Sequence, residues 1–73
     1  MQKTPLKLLD VVALLEDRPR ERLVAGQVGT VVEVLAPGVF EVEVLDSNGR
    51  TVAVAEFKRE ILLALRHEVL AAA

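Results

Sequence analysis

The stretch Val39-Phe40-Glu41-Val42-Glu43-Val44-Leu45 alternates apolar and acidic residues with a period of two. Successive side chains of a strand point to opposite faces. The pattern therefore describes a half-buried antiparallel strand, with Phe40, Val42 and Val44 against a core and Glu41 and Glu43 toward water. Turn signals frame it on both sides. Asp17-Arg18-Pro19-Arg20-Glu21-Arg22 is a charged loop, Gly26-Gln27-Val28-Gly29 a glycine-punctuated bend, Pro37-Gly38 a tight turn and Ser47-Asn48-Gly49 another. Between them lie Val-rich runs at Val11 to Leu15, Thr30 to Leu35, Val39 to Leu45 and Arg50 to Phe57. This spacing predicts a small all-β barrel or sandwich. Seventy-three residues make one domain, and with only two aromatic residues its core must be built from the thirteen Val and twelve Leu.

Turn chemistry then proposes registers. A two-residue Asn48-Gly49 loop of type I′ pairs Ser47 with Arg50, Leu45 with Val52, Glu43 with Val54 and Glu41 with Glu56, which sends Ala53, Ala55 and Phe57 into the core. The preceding hairpin contains a conflict. A two-residue Pro37-Gly38 loop would set Glu33 opposite Val42, and an unpaired carboxylate on the core face is costly. A slip of one residue removes the conflict by turning Thr30, Val32 and Val34 inward and Val31, Glu33 and Leu35 outward. That register needs a three-residue loop, or a bulge with Gly38 left-handed. Two segments stay open. Leu6 to Leu15 reads as helix or strand. Glu60 to Ala73 is either one helix, from Ile61, Leu65 and Val69 at four-residue spacing, or a short final strand Ile61 to Leu65 followed by a helical or frayed tail.

The inventory of reactive side chains is thin. With no cysteine there is no disulfide, no iron–sulfur cluster and no thiol catalysis. The single His67 and single Ser47 could form a relay only by joining the C-terminal tail to a hairpin turn, and a zinc site would lack ligands. Gly26-x-x-Gly29 has no Gly-Lys-Ser/Thr ending and reads as a bend, so Gly26, Gly29, Pro37, Gly38, Asn48 and Gly49 are expected to be structural turn residues. The Arg18-Arg20-Arg22 loop, a net +1 against Asp17 and Glu21, reads as a solvated loop, with a docking role as the alternative. No catalytic residue, cofactor or metal is expected. A net charge of −2 and a pI near 5.3 argue against nucleic acid as a partner. No signal peptide or membrane-spanning run is visible, which makes the expectation a cytoplasmic protein.

What stands out is where the acidity lies. Residues 30–57 hold five acidic groups and one basic group, while the flanking segments each carry a net +1. In the expected registers Glu33, Glu41, Glu43 and Glu56 share the outward face with Val31, Leu35, Leu45, Val52 and Val54. Carboxylates set among exposed aliphatics resemble an interaction surface. Three explanations are open: the chain's own termini cover the aliphatics, a partner does, or a second copy does.

The order Asp10-Val-Val-Ala-Leu, Gly26-Gln-Val-Gly-Thr-Val-Val-Glu-Val-Leu, Pro37-Gly-Val-Phe-Glu-Val-Glu-Val, Asn48-Gly-Arg-Thr and Ile61-Leu-Leu-Ala-Leu resembles a family of short bacterial proteins known as a domain of unknown function (family 4926). The resemblance covers Leu6 to His67 and leaves residues 68–73 as a tail. It implies an SH3-like five-stranded antiparallel barrel, with both open segments contributing strands. The Gly29-centred block is also similar to the loop-and-strand motif of ribosomal and transcription-factor SH3-like barrels. The basic and aromatic residues that RNA contact requires are missing, so that similarity carries fold and not function. Without Trp or Tyr the chain cannot line a groove for proline-rich peptides. The expectation is a protein-binding module that engages a basic partner through Glu33, Glu41, Glu43, Glu56, Val31, Leu35, Val52 and Val54, an antitoxin- or immunity-like inhibitor being one form. An accessory subunit or homodimer is the alternative, and an RNA-binding domain the third.

Overall fold

The computed structural model describes residues 5–65. Five strands, β1 (Val11–Leu14), β2 (Val28–Ala36), β3 (Val39–Leu45), β4 (Thr51–Lys58) and β5 (Leu62–Ala64), form one antiparallel sheet in the order β4-β3-β2-β1-β5. The helical content of the described residues is two single 3-10 turns, Pro19–Glu21 and Arg59–Ile61. Both segments that the sequence leaves open contribute strands. β1 ends the first, and β5 follows the 3-10 turn that contains Ile61 in the second. The expected helical or frayed tail, and His67 with it, lie outside the described residues.

The β3–β4 hairpin keeps the expected pairing over most of its length, with Glu43 opposite Val54, Glu41 opposite Glu56 and Phe40 opposite Phe57. Its turn is of another kind. Gly49 alone takes a positive φ, 80°, and Asn48 does not. The N–H of Gly49 donates to the Asp46 carbonyl at 3.0 Å, and the Asp46 N–H to the Arg50 carbonyl at 2.8 Å. This is the pattern of a three-residue loop closed by a left-handed glycine, not of a type I′ turn. Asp46 selects it, because its Oδ1 accepts from the N–H groups of Asn48 at 2.8 Å and Arg50 at 2.9 Å. The extra loop residue shifts the register, so Leu45 faces Thr51 and not Val52.

The β2–β3 hairpin corrects the expected register more deeply. The two-residue Pro37-Gly38 loop does form, with Ala36 opposite Val39 and Gly38 at a φ of 77°. The carboxylate conflict is resolved within β2 by two register shifts. The first, at Leu35, puts Glu33 opposite Glu41 on the outer face. The second, at Val32, turns Val31 back inward opposite Val42. Val31 is therefore core, at 0% exposure, and not part of the outward face, while Val32 and Val34 are exposed and not core. Thr30, opposite Glu43, also lies on the outer face. The bulges keep Glu33 in water and still bury Val31 opposite Val42, which one rigid slip cannot do.

The core is aliphatic, as the composition requires: Leu6, Val12, Leu14, Leu23, Val31, Val42, Val44 and Leu62 with Phe40 and Phe57, backed by Ala53, Ala55, Ile61 and Ala64. Gly29 is no turn residue. It sits inside β2 between Val12 and Val44, where a Cβ would lie 2.6 Å from the Glu43 carbonyl oxygen and 2.6 Å from Val42 Cγ1. Close backbone approach demands glycine there, whereas Gly26, at a φ of 94°, makes the bend.

The arginine loop is more than solvated surface. Arg18 and Leu23 exchange backbone hydrogen bonds of 2.8 and 3.0 Å, and Leu23 is buried beneath the loop. The Arg18 guanidinium lies 4.2 Å over the Phe57 ring centroid, donates through Nη2 to the Glu56 carbonyl at 3.2 Å and approaches Glu21 Oε2 to 3.8 Å. One side chain thereby ties the β1–β2 loop to β4 and closes the core over Phe57. Arg20 and Arg22 are exposed, as expected.

Candidate protein-binding surface

Directly opposite residues of an antiparallel pair share a face, so the register defines the outer surface row by row. Glu33 pairs with Glu41 and Glu41 with Glu56. Three carboxylates thus stand side by side on three adjacent strands, across about 10 Å at the usual strand spacing. None of the three side chains has an ion pair or hydrogen bond among the described residues. The neighbouring row runs Val11, Thr30, Glu43, Val54. Here the Thr51 hydroxyl donates to Glu43 Oε2, which holds that carboxylate to its own hairpin. No group of three or more His, Cys, Asp or Glu among the described residues is arranged to hold a metal ion, so the row is a stripe of charge and not a cage.

Of the eight residues that the sequence assigns to this surface, seven are solvent-accessible. Glu33, Glu41, Glu56, Glu43 and Val54 fall in two adjoining rows, and Leu35 and Val52 project from the register shifts of β2 and β4. Val31 belongs to the core. The surface also contains aliphatics that sequence reasoning missed. Val11, Val28 and Leu63 face outward from β1, β2 and β5, and Leu65 is exposed just beyond Ala64, its N–H bonded to the Val11 carbonyl at 2.9 Å. Nothing in Val11-Val12 alone tells which valine faces in; only the partner strands decide it. The face is accordingly graded, from aliphatic at β5 and β1 to acidic at β3 and β4.

Ser47 is exposed at the β3–β4 turn, and its only conceivable partner in a nucleophilic relay, His67, lies outside the described residues. An open groove of about 340 Å³ lies at the β2–β3 turn, walled by Pro5, Leu6, Val34, Pro37, Phe40 and Arg59. It brings no acid–base pair together. No helix among the described residues is long and apolar enough to cross a membrane.

The strand order, the loop folded over one end of the core and the absence of any full helix among the described residues define a small SH3-like all-β domain whose outer face carries an acidic row. The family model of a domain of unknown function (DUF4926) matches residues 8–64, and the chain belongs to that family. Comparison with curated proteins and with solved structures finds no match.

Proposed function

We propose that this domain is a non-catalytic protein-binding module that takes a basic partner onto its acidic, aliphatic sheet face. The observation that carries the reading is the row Glu33–Glu41–Glu56. Like charges directly opposite one another each cost the fold a few tenths of a kcal/mol, roughly 0.2–1. Stability gives the chain no reason to hold three such groups in line, while a partner's Lys and Arg would turn the cost into attraction. Complementary charge speeds encounter and selects the partner, and Val54, Val52 and Leu35 beside the row supply apolar contact. The finer form is an antitoxin- or immunity-like inhibitor of a basic enzyme in the bacterial cytoplasm. A homodimer or accessory-subunit role is the second reading, favoured by the exposed Val11, Val28, Leu63 and Leu65 at the other end of the face.

The test is the double substitution Glu41→Lys, Glu43→Lys in a tagged protein. The variant should keep the far-ultraviolet circular dichroism of the wild type and lose a basic protein that the wild type retains from lysate. Equal retention by a folded variant would refute the acidic face as the docking surface. Sedimentation equilibrium separates the second reading, which requires a dimer in the absence of any partner.

A further inference from the structure

We infer that the partner docks as an added β-strand along the free edge of β4, with a Lys or Arg opposite Glu56 and an aliphatic residue opposite Val54; this rests on the acidic-face reading. The two edges of the sheet differ. β5 has three residues, whereas β4 runs for eight and ends the strand order with no neighbour beyond it among the described residues.

The direction of the β4 backbone groups follows from two separate observations. Val31 bonds away from β3, donating to the Asp10 carbonyl at 2.9 Å and accepting from the Leu9 N–H at 2.8 Å. Its opposite, Val42, therefore bonds to β4 at Ala55, which leaves the alternate residues Val54 and Glu56 pointing outward. The Arg18 guanidinium reaches the Glu56 carbonyl from outside the sheet, as that alternation requires. In the free domain Arg18 occupies the Glu56 carbonyl, and a strand docked opposite Glu56 must displace it there. No loop or strand among the described residues supplies a partner to the N–H and C=O of Val54. Strand addition uses such groups for affinity and alternate side chains for specificity.

Charge selects the occupant. A strand laid along β4 continues the row Glu33–Glu41–Glu56 by one position, and a cation is the residue that relieves it. Two residues on toward Arg18, Lys58 disfavours a second cation; two residues back, Val54 is 52% exposed and favours an aliphatic. A second copy of this chain fits poorly, since pairing β4 with β4 would bring two acidic rows onto one continuous face.

The probe is a short synthetic peptide alternating Lys and Val with Thr between them, against the same peptide with Glu for Lys. Hydrogen exchange at the Val54 amide should be fast in the free protein and about tenfold or more slower at saturating Lys peptide, with no change from the Glu peptide. Val54→Pro removes an N–H that faces away from β3, so the hairpin keeps its ladder while peptide affinity should fall about tenfold or more. Lys-peptide binding that is lost in Glu41→Lys, Glu43→Lys but leaves Val54 exchange unchanged overturns strand addition and spares the acidic face. Failure of the Lys peptide to bind overturns the inferred pattern. A Val54 amide already protected in a dimer assigns the edge to a second copy and overturns it as well.

Discussion

On the inner face of the sheet the rungs are apolar, with Val12, Val31, Val42 and Val44 buried around a glycine that leaves no room for a methyl group. On the outer face the same strands set Glu33, Glu41 and Glu56 directly opposite one another and leave Val54, Val11 and Leu63 in water. One backbone thus carries two surfaces with opposite energetics. A side chain on the inner face contributes by being enclosed. A carboxylate in the outer row costs the monomer a little, and on the proposed reading a basic partner offsets that cost. In a domain of this size the total margin is small enough for both signs to be measurable.

The largest expected effect tests how tightly the inner face is closed. Gly29→Ala places a Cβ 2.6 Å from the Glu43 carbonyl and from Val42 Cγ1, and a backbone oxygen cannot rotate away. The variant should lose about 1–3 kcal/mol, read as a lower urea midpoint, by the usual cost of overpacking. A midpoint unchanged from wild type would mean that β2 and β3 are not held this close. Arg18→Ala ranks next, because it removes both the cation over Phe57 and the bond to the Glu56 carbonyl. The expected loss is about 1–2 kcal/mol. Arg18→Lys keeps the charge but not the planar stack, and should recover only part of it. Full recovery in the lysine variant would reduce the contact to simple charge.

How far these two surfaces can be read in the sequence depends on how local the deciding interactions are. The strict alternation of β3 names its faces unaided, and Asn48-Gly49 locates the next hairpin even though Asp46 changes the turn type. Glu33 announces that something in β2 must give. It does not say that two bulges will take up the conflict, and so Val31 and Val32 exchange roles. Adjacent valines satisfy either face equally, and only the partner strand breaks the tie. The four carboxylates of the outer surface are legible because they sit on or opposite the alternating strand. Val11, Val28, Leu63 and Leu65 are not, since they become neighbours only when β1 and β5 pair. Arg18 is the least legible residue: its partners lie 38 and 39 positions away, and a charged loop rich in arginine looks solvated from any local vantage.

The smallest effect is the most informative about the outer face. Glu41 is half-buried and has a carboxylate on each side, so Glu41→Gln removes both repulsions with almost no change in shape. Folding stability should rise by about 0.5 kcal/mol in low salt. Because the cause is Coulombic, the gain should shrink as salt approaches about 1 M, where charges are screened within about 3 Å. Glu16→Gln is the control. Glu16 is exposed and sits outside the sheet, so its midpoint should not move. If Glu41→Gln instead destabilised the domain, the carboxylate would be serving the fold, and the row would lose its value as evidence for a partner. If it stabilised the domain while weakening a basic ligand, stability and binding would be drawing on the same charge in opposite directions, as a surface kept for recognition requires.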